Sequence, residues 1–135
     1  MSATLEEVML AIKATAEEID GLTGYSVEPP SPHYPALWPF VRDAAYHSTF
    51  DGAMTWHITL SVAVEQANAA FAQNNIYPYL APTGARSIRQ TFEADPSLGL
   101  TGVSCLVRGV TTVGRVTIAG KEPLVCQFDL EVITS

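Results

Sequence analysis

The sequence predicts an α+β fold: a mostly antiparallel or mixed β-sheet of about four or five strands, covered on one side by an N-terminal helix and two short helices. Three observations carry this. Met54, Trp56, Ile58, Leu60, Val62 and Val64 alternate with Thr55, His57, Thr59, Ser61 and Ala63, the period of a strand with one buried face. Leu124, Cys126, Phe128, Leu130 and Val132 alternate in the same way with Val125, Gln127, Asp129, Glu131 and Ile133. By contrast, Leu5, Val8, Met9, Ile12, Ala16 and Ile19 recur at steps of three and four, the stripe of an amphipathic helix.

That first helix starts at Thr4-Leu5-Glu6-Glu7, a capping box in which the Thr hydroxyl and the Glu carboxylate satisfy orphan amides of the first turn. Gly21 and Gly24 supply its stop. Residues 28 to 39 hold Pro29, Pro30, Pro32, Pro35 and Pro39, which fix φ and remove donors, so residues 28–50 read as a long Pro- and aromatic-rich connecting loop. Tyr34, Leu37, Trp38, Phe40 and Tyr46 crowd into this loop and either pack back on the core or dock on a partner. Asn68 can cap a helix with Ala72, Ile76 and Leu80 on one stripe beside Phe71 and Tyr79, which Pro78 should kink or end early. A short helix, Ala85 to Ala94, presents Ile88 and Phe92 to the core and Arg86, Arg89 and Gln90 outward, and Asp95-Pro96 closes it. Strands are expected over Val103 to Val110 and Gly114 to Ile118. Ala119-Gly120-Lys121-Glu122 then turns the chain into the last strand.

A chain of 135 residues fits one domain at roughly 150 residues each. Charged residues are only 16% of it, below the roughly 25% of an average domain, which leaves much uncharged surface suited to contact with other protein. A net charge of −7 argues against nucleic-acid or anionic-membrane binding, which needs clustered cations. The start lacks the basic flank and apolar run of a signal peptide, so the expectation is an unprocessed protein made in the cytoplasm, with no membrane contact. The charge is polarised along the chain. Residues 1–28 carry Glu6, Glu7, Glu17, Glu18, Asp20 and Glu28 against Lys13, a balance of −5. Residues 84–121 carry Arg86, Arg89, Arg108, Arg115 and Lys121 against Glu93 and Asp95, a balance of +3. In a monomer these are two solvated faces; in a ring, one copy's acidic helix can face its neighbour's basic segment.

Catalysis needs convergent groups, and none of the familiar spacings is present. His33, His47 and His57 include no helical i, i+4 pair, and no His-Glu-x-x-His, paired Cys-x-x-Cys, phosphate loop or Gly-x-Ser-x-Gly occurs. A site that the fold assembles from His47, Asp51 and His57 stays open as a minor alternative. The expectation is a protein without catalytic residues, metal or cofactor. Cys105 and Cys126, each in an apolar run, read as reduced core thiols, with a cross-strand disulfide as the alternative.

From Thr49 to Thr134 the order of motifs resembles tail terminator proteins of long-tailed (siphovirus-type) bacteriophages, particularly those infecting actinobacteria. The resemblance is carried by Thr49-Phe50-Asp51-Gly52 before the long strand, and by Tyr79-Leu80 and Gly84-Ala85-Arg86-Ser87-Ile88 around the two helices. Glu93-Ala94-Asp95-Pro96-Ser97-Leu98-Gly99 follows as a post-helix turn, with Val116-Thr117-Ile118-Ala119-Gly120 ahead of Phe128-Asp129-Leu130-Glu131-Val132. The chain departs from the family pattern at Pro78 and in the uncharged stretch Gln66 to Asn75. The resemblance implies a structural virion protein of the tail and neck region, assembled in the host cytoplasm. It implies a homo-hexameric ring that caps the tail tube, halts its growth and docks the head-completion or connector protein, with DNA passing through the lumen without specific binding. Glu6, Glu17, Trp38, Phe40, Tyr46, Arg86, Arg89 and Arg115 are the candidate interface residues. Two alternatives are another neck or tail protein (head-completion, tail-completion or tube) and a small-ligand-binding or enzymatic α+β domain using the aromatic loop as a pocket.

Overall fold

A computed structural model describes residues 4–46, 53–65, 69–118 and 120–134. The elements run α1 (Leu5–Ala16), β1 (Thr23–Gly24), β2 (Ala36–Ala45), β3 (Met54–Val64), α2 (Ala69–Leu80), α3 (Ile88–Ala94), β4 (Val103–Arg115) and β5 (Leu124–Thr134). The five strands form one mixed sheet in the order β1-β2-β3-β5-β4. Only β1 and β2 are parallel; every other neighbour is antiparallel. This is the α+β architecture the alternation pointed to.

The centre of the sheet is the β3–β5 ladder, paired without a break from Met54↔Thr134 to Val64↔Leu124. Its period of two sends Ile58, Leu60, Val62, Cys126, Phe128, Leu130 and Val132 into one core with Val8 and Ile12 of α1, Ile76 and Tyr79 of α2, and Ile88 and Phe92 of α3. On this covered face α1 packs against β1 and β2, α2 against β3 and β5, and α3 against β4 and both other helices. Trp56 packs on the same core and donates its indole N–H to the Thr134 hydroxyl at 3.3 Å.

Helix α1 has the expected capping box: Thr4 Oγ1 accepts from Glu7 N–H, and Glu7 Oε1 accepts from Thr4 N–H, both at 3.2 Å. It ends a turn earlier than the apolar stripe suggests. Glu18 and Ile19 donate to carbonyls only three residues back, tightening the chain out of the helix, and Gly21 at φ 83° completes the turn. Ile19 is still buried, from the turn rather than from the helix. Strand β1 then crosses the end of α1 so closely that a Cβ on Gly24 would stand 2.6 Å from the Lys13 carbonyl oxygen.

Four expectations need correction. The segment 28–50 is not wholly a connecting loop, because residues 36–45 of it form β2. Pro35 and Pro39 fit there because Tyr25 N–H donates to Leu37 O and Thr23 N–H to Pro35 O; odd residues of this stretch thus aim their backbone groups away from β3, where a missing donor breaks no ladder bond. The two strands expected over 103–118 are one, β4, which absorbs Gly109 through irregularities at Val107/Gly109 and Val110/Thr112. Helix α3 starts at Ile88 rather than Ala85, since Ser87 is its N-cap: buried Ser87 Oγ accepts from Gln90 N–H at 3.1 Å and donates to Ala81 O at 2.6 Å. Helix α2 runs through Pro78 to Leu80, the last residue of its apolar stripe, and Ala81 N–H still donates to Tyr77 O, so the early end expected at the proline does not occur. Asn68, the expected cap, lies outside the described residues.

Cys105 and Cys126 are both free and buried. Cys105 stands opposite Val132, six positions along β5 from Cys126, roughly 20 Å at the rise of a strand, so a disulfide between them is not formed. Burial, with Glu93 and Asp95 nearby, pushes the Cys105 thiol up to about 11, and burial pushes Cys126 up to about 12.

Two predictions follow from this packing. Gly24→Ala drives a Cβ into the Lys13 carbonyl and lowers stability by about 1–3 kcal/mol in urea titration; an unchanged midpoint refutes the close approach. Both thiols resist a thiol reagent at pH 8 in the folded chain and react in urea. Because the folded thiols hold their protons above the ordinary thiol value of 9.0, their contribution to stability is complete below pH 9 and is lost as pH rises toward 11 to 12. In urea titrations across that range, a Cys105→Ala/Cys126→Ala variant loses less stability than the parent chain.

Candidate assembly surfaces

The unbroken centre of the sheet fixes which backbone groups face outward at both ends. Working across the ladders from Leu37, whose carbonyl is taken by Tyr25, the outward positions are Val41 and Ala44 on β2, and Cys105, Val107, Val110, Val113 and Arg115 on β4. The two halves of the β4 edge differ. Cys105 N–H donates to Pro96 O at 2.7 Å and Val107 N–H to Glu93 Oε2 at 3.2 Å, so α3 and the turn after it cover the first half. The second half, from Val110 to Arg115, has no such cover among the described residues, and Val110, Val113 and Val116 are about half exposed. At the opposite end β1 pairs only with Ala36 and Leu37, and among the described residues no strand pairs with the outer edge of β2 beyond Pro39.

The charge segregation of the sequence maps onto these ends in part. Helix α1, with Glu6, Glu7, Glu17 and Glu18 exposed, lies over β1 and β2. Arg115 ends the open stretch of β4, and exposed Lys121 follows in the hairpin. Acidic α1 and Arg115 therefore mark different ends of the sheet, while Lys121 lines a cleft with Tyr34, Glu65 and Glu122 and does not belong to the β4 edge.

The face opposite the helices is polar at its centre. Arg42 Nη2 stands 3.3 Å from Asp129 Oδ1 and 3.1 Å from His57 Nδ1, which accepts, and Arg42 Nε lies 3.5 Å from Asp43 Oδ2. Arg108 donates through Nε to Glu131 Oε2 at 2.6 Å, and Gln127 donates to the Ser61 hydroxyl at 3.4 Å. Such exposed pairs contribute about 0–1 kcal/mol each, so they set the character of the surface more than the stability of the fold. Beside them Ala36, Trp38, Ala63 and Val125 form a second apolar cluster, against which Tyr25, Tyr34 and Ile118 pack.

The eight candidate interface residues do not gather at one place. Glu6 is exposed on the first turn of α1, and Glu17 caps its end, 3.8 Å from Lys13. Trp38 is 5% exposed, within the second cluster, whereas Phe40 is 61% and Tyr46 70% exposed, so the aromatic segment both packs and projects. Phe40 shares a cleft of about 380 Å³ with Arg42, Val116, Ile118 and Gln127. Arg89 is held by Glu93 at 3.1 Å. Arg86 lines a cleft of about 300 Å³ with Asp20, Tyr34, Glu65, Asn75 and Tyr79. Burial raises the pKa of both tyrosines, with Glu65 adding to the effect at Tyr34 and Arg86 opposing it at Tyr79. Arg115 stands at the open edge. His47 and Asp51 lie outside the described residues, while His57 is engaged by Arg42; among the described residues no group of three or more His, Cys, Asp or Glu side chains is placed to hold a metal ion.

Sequence reasoning missed Leu106, Val110 and Val113 as exposed apolar residues and Arg42 as the hub of the polar face. A signal existed for the first group: Val110-Thr111-Thr112-Val113 breaks the alternation expected of a half-buried strand. No known protein-family model and no curated protein matches this chain.

In the dissociated chain, amide exchange separates the two halves of the β4 edge: Cys105 and Val107 exchange slowly, while Val110, Val113 and Arg115 exchange fast. Glu93→Ala accelerates Val107 about tenfold and leaves Cys105 unchanged, as loss of one side-chain acceptor requires. Uniform protection along β4 contradicts the division.

Proposed function

We propose that this chain is a phage tail terminator: a structural virion protein that forms a ring on the end of the completed tail tube, stops tube growth and offers its far face to the head-side connector. The observation that carries the reading is the inequality of the sheet's two ends, with acidic α1 over a partly open β1–β2 end and an open β4 edge that ends at Arg115. A closed ring needs heterologous contacts, one patch fitting a different patch on the next copy, and two unlike ends of one sheet meet that requirement. The motif order over residues 49–134 points the same way.

The mechanism is steric and thermodynamic. Docking on the last tube ring buries its growing surface, and the outward face of the terminator no longer offers what a tube subunit would bind. Closure of the ring makes each contact support the others, so assembly is favourable only when the whole circle forms. The chain's net charge of −7 opposes retention of DNA passing nearby.

A second reading, a small-ligand domain, draws on the cleft beside Tyr34, whose buried hydroxyl lacks a partner. Mass in solution and electron microscopy with purified tail tubes separate the two. The terminator reading expects rings of about six copies seated on tube ends; a monomer that ignores tubes and binds a metabolite refutes it. Arg86→Glu, at an arginine without a carboxylate within ion-pair distance among the described residues, is expected to weaken ring assembly while the monomer's unfolding midpoint is kept. Rings of undiminished stability would remove Arg86 from the interface.

A further inference from the structure

Resting on the ring-forming reading, we infer that neighbouring copies join strand to strand: the open half of β4, Val110 to Arg115, pairs with the open outer edge of β2, Val41 to Ala45, on the next copy, continuing one sheet around the assembly. Three observations carry this. First, β4 is open over only part of its length. Its first half has its outward amides taken by Pro96 and Glu93, the protection expected of an edge that must not pair, while those of Val110, Val113 and Arg115 have no partner among the described residues. Second, the complementary edge exists on the same chain and is of similar length. Beyond Leu37 no described residue pairs with the outer edge of β2, and Val41 and Ala44 aim their backbone groups outward over about five residues, or roughly 17 Å, against about six on β4.

Third, charge and direction select this partner over another β4. Two β4 edges paired antiparallel about a two-fold axis over the open stretch would set each Arg115 opposite Val110 and bring it no carboxylate. Against β2, the edge that ends at Arg115 instead meets the flank over which acidic α1 lies. Strand directions agree as well. β2 and β5 run one way, β3 and β4 the other. Continuing the sheet with its helices on the same side therefore sets β4 beside an oppositely running β2, and the new ladder is antiparallel. Half-exposed Val110 and Val113 on β4 and exposed Tyr46 at the end of β2 would be covered by the same join.

Two proline variants test the inference, because Val113 and Ala44 both point their N–H away from their own neighbouring strand, so proline spares the intrachain ladder. Val113→Pro and Ala44→Pro should each fold, by circular dichroism and thermal midpoint, and each remain monomeric by mass photometry at concentrations where the parent chain forms rings. Val113→Thr, which keeps the N–H, should still form rings. Mixing the two proline variants gives the distinctive result: each retains one sound edge, so they form a one-to-one dimer and nothing larger. Should Val113→Pro fail to fold, Val113→Lys places a charge in the join, keeps the ladder, and takes its place in the mixture. Rings that survive both proline substitutions, or an Ala44→Pro chain that still pairs through β4 alone, overturn the strand join while leaving the ring intact. A parent chain that stays monomeric at every concentration overturns the ring itself, and the join with it.

Discussion

The eleven-residue pairing of β3 with β5 is the constraint on which the rest of the molecule depends. A ladder that long without a bulge admits no slip, since moving it by one residue would turn Ile58, Leu60, Phe128 and Leu130 out of the core. Fixing that register decides which face takes the helices, and it also fixes the direction of every backbone group in the neighbouring strands. The alternate use of N–H and C=O groups carries this information outward to β2 and β4. The central hydrophobic pattern and the hydrogen-bonding character of the two rims are consequences of one arrangement.

Irregularity is confined to the outer strands. β2 departs from register between Val41 and Asp43, and β4 departs twice, while the two central strands stay regular. Bulges increase local twist and re-aim side chains at little cost where only one neighbour is present. Here Arg42 and Arg108 stand at the shifts on the polar face beside Asp129 and Glu131, and the shift in β2 sets Asp43 next to Arg42 there. Glu93 has two tasks, holding Arg89 on its own helix and covering Val107 on β4, so α3 is tied to the sheet edge through one carboxylate. The sheet thus ends differently on its two sides, and the terminator reading rests on that inequality.

The regular parts of this architecture were legible in the sequence because they obey a single period. Strands β3 and β5 declare themselves by alternation, and α1 by a stripe and a capping box. Strand β2 was hidden because prolines signal a break unless the direction of their missing donor is known, and that direction depends on pairing with residues far along the chain. The continuity of β4 was hidden for a related reason: Thr111-Thr112-Val113 breaks the alternation between the two expected strands, whereas a register shift at a sheet edge leaves the strand intact. The site was less legible than the fold. Exposure of Phe40 and Tyr46 beside burial of Trp38 depends on where the sheet curls, which no local pattern records. The charge imbalance, by contrast, was plain from composition, but folding separates it only in part: Arg115 stands at the β4 edge away from α1, whereas Arg86 shares a cleft with Asp20.

The polar face has a consequence for anything that slides across it. Both arginines there, Arg42 and Arg108, are already engaged by carboxylates on β5. A phosphate moving along that wall would have to displace Asp129 or Glu131 to gain a guanidinium, exchanging one charged contact for another at no net profit. On the terminator reading, this face would therefore offer a passing polyanion neither of these guanidinium groups.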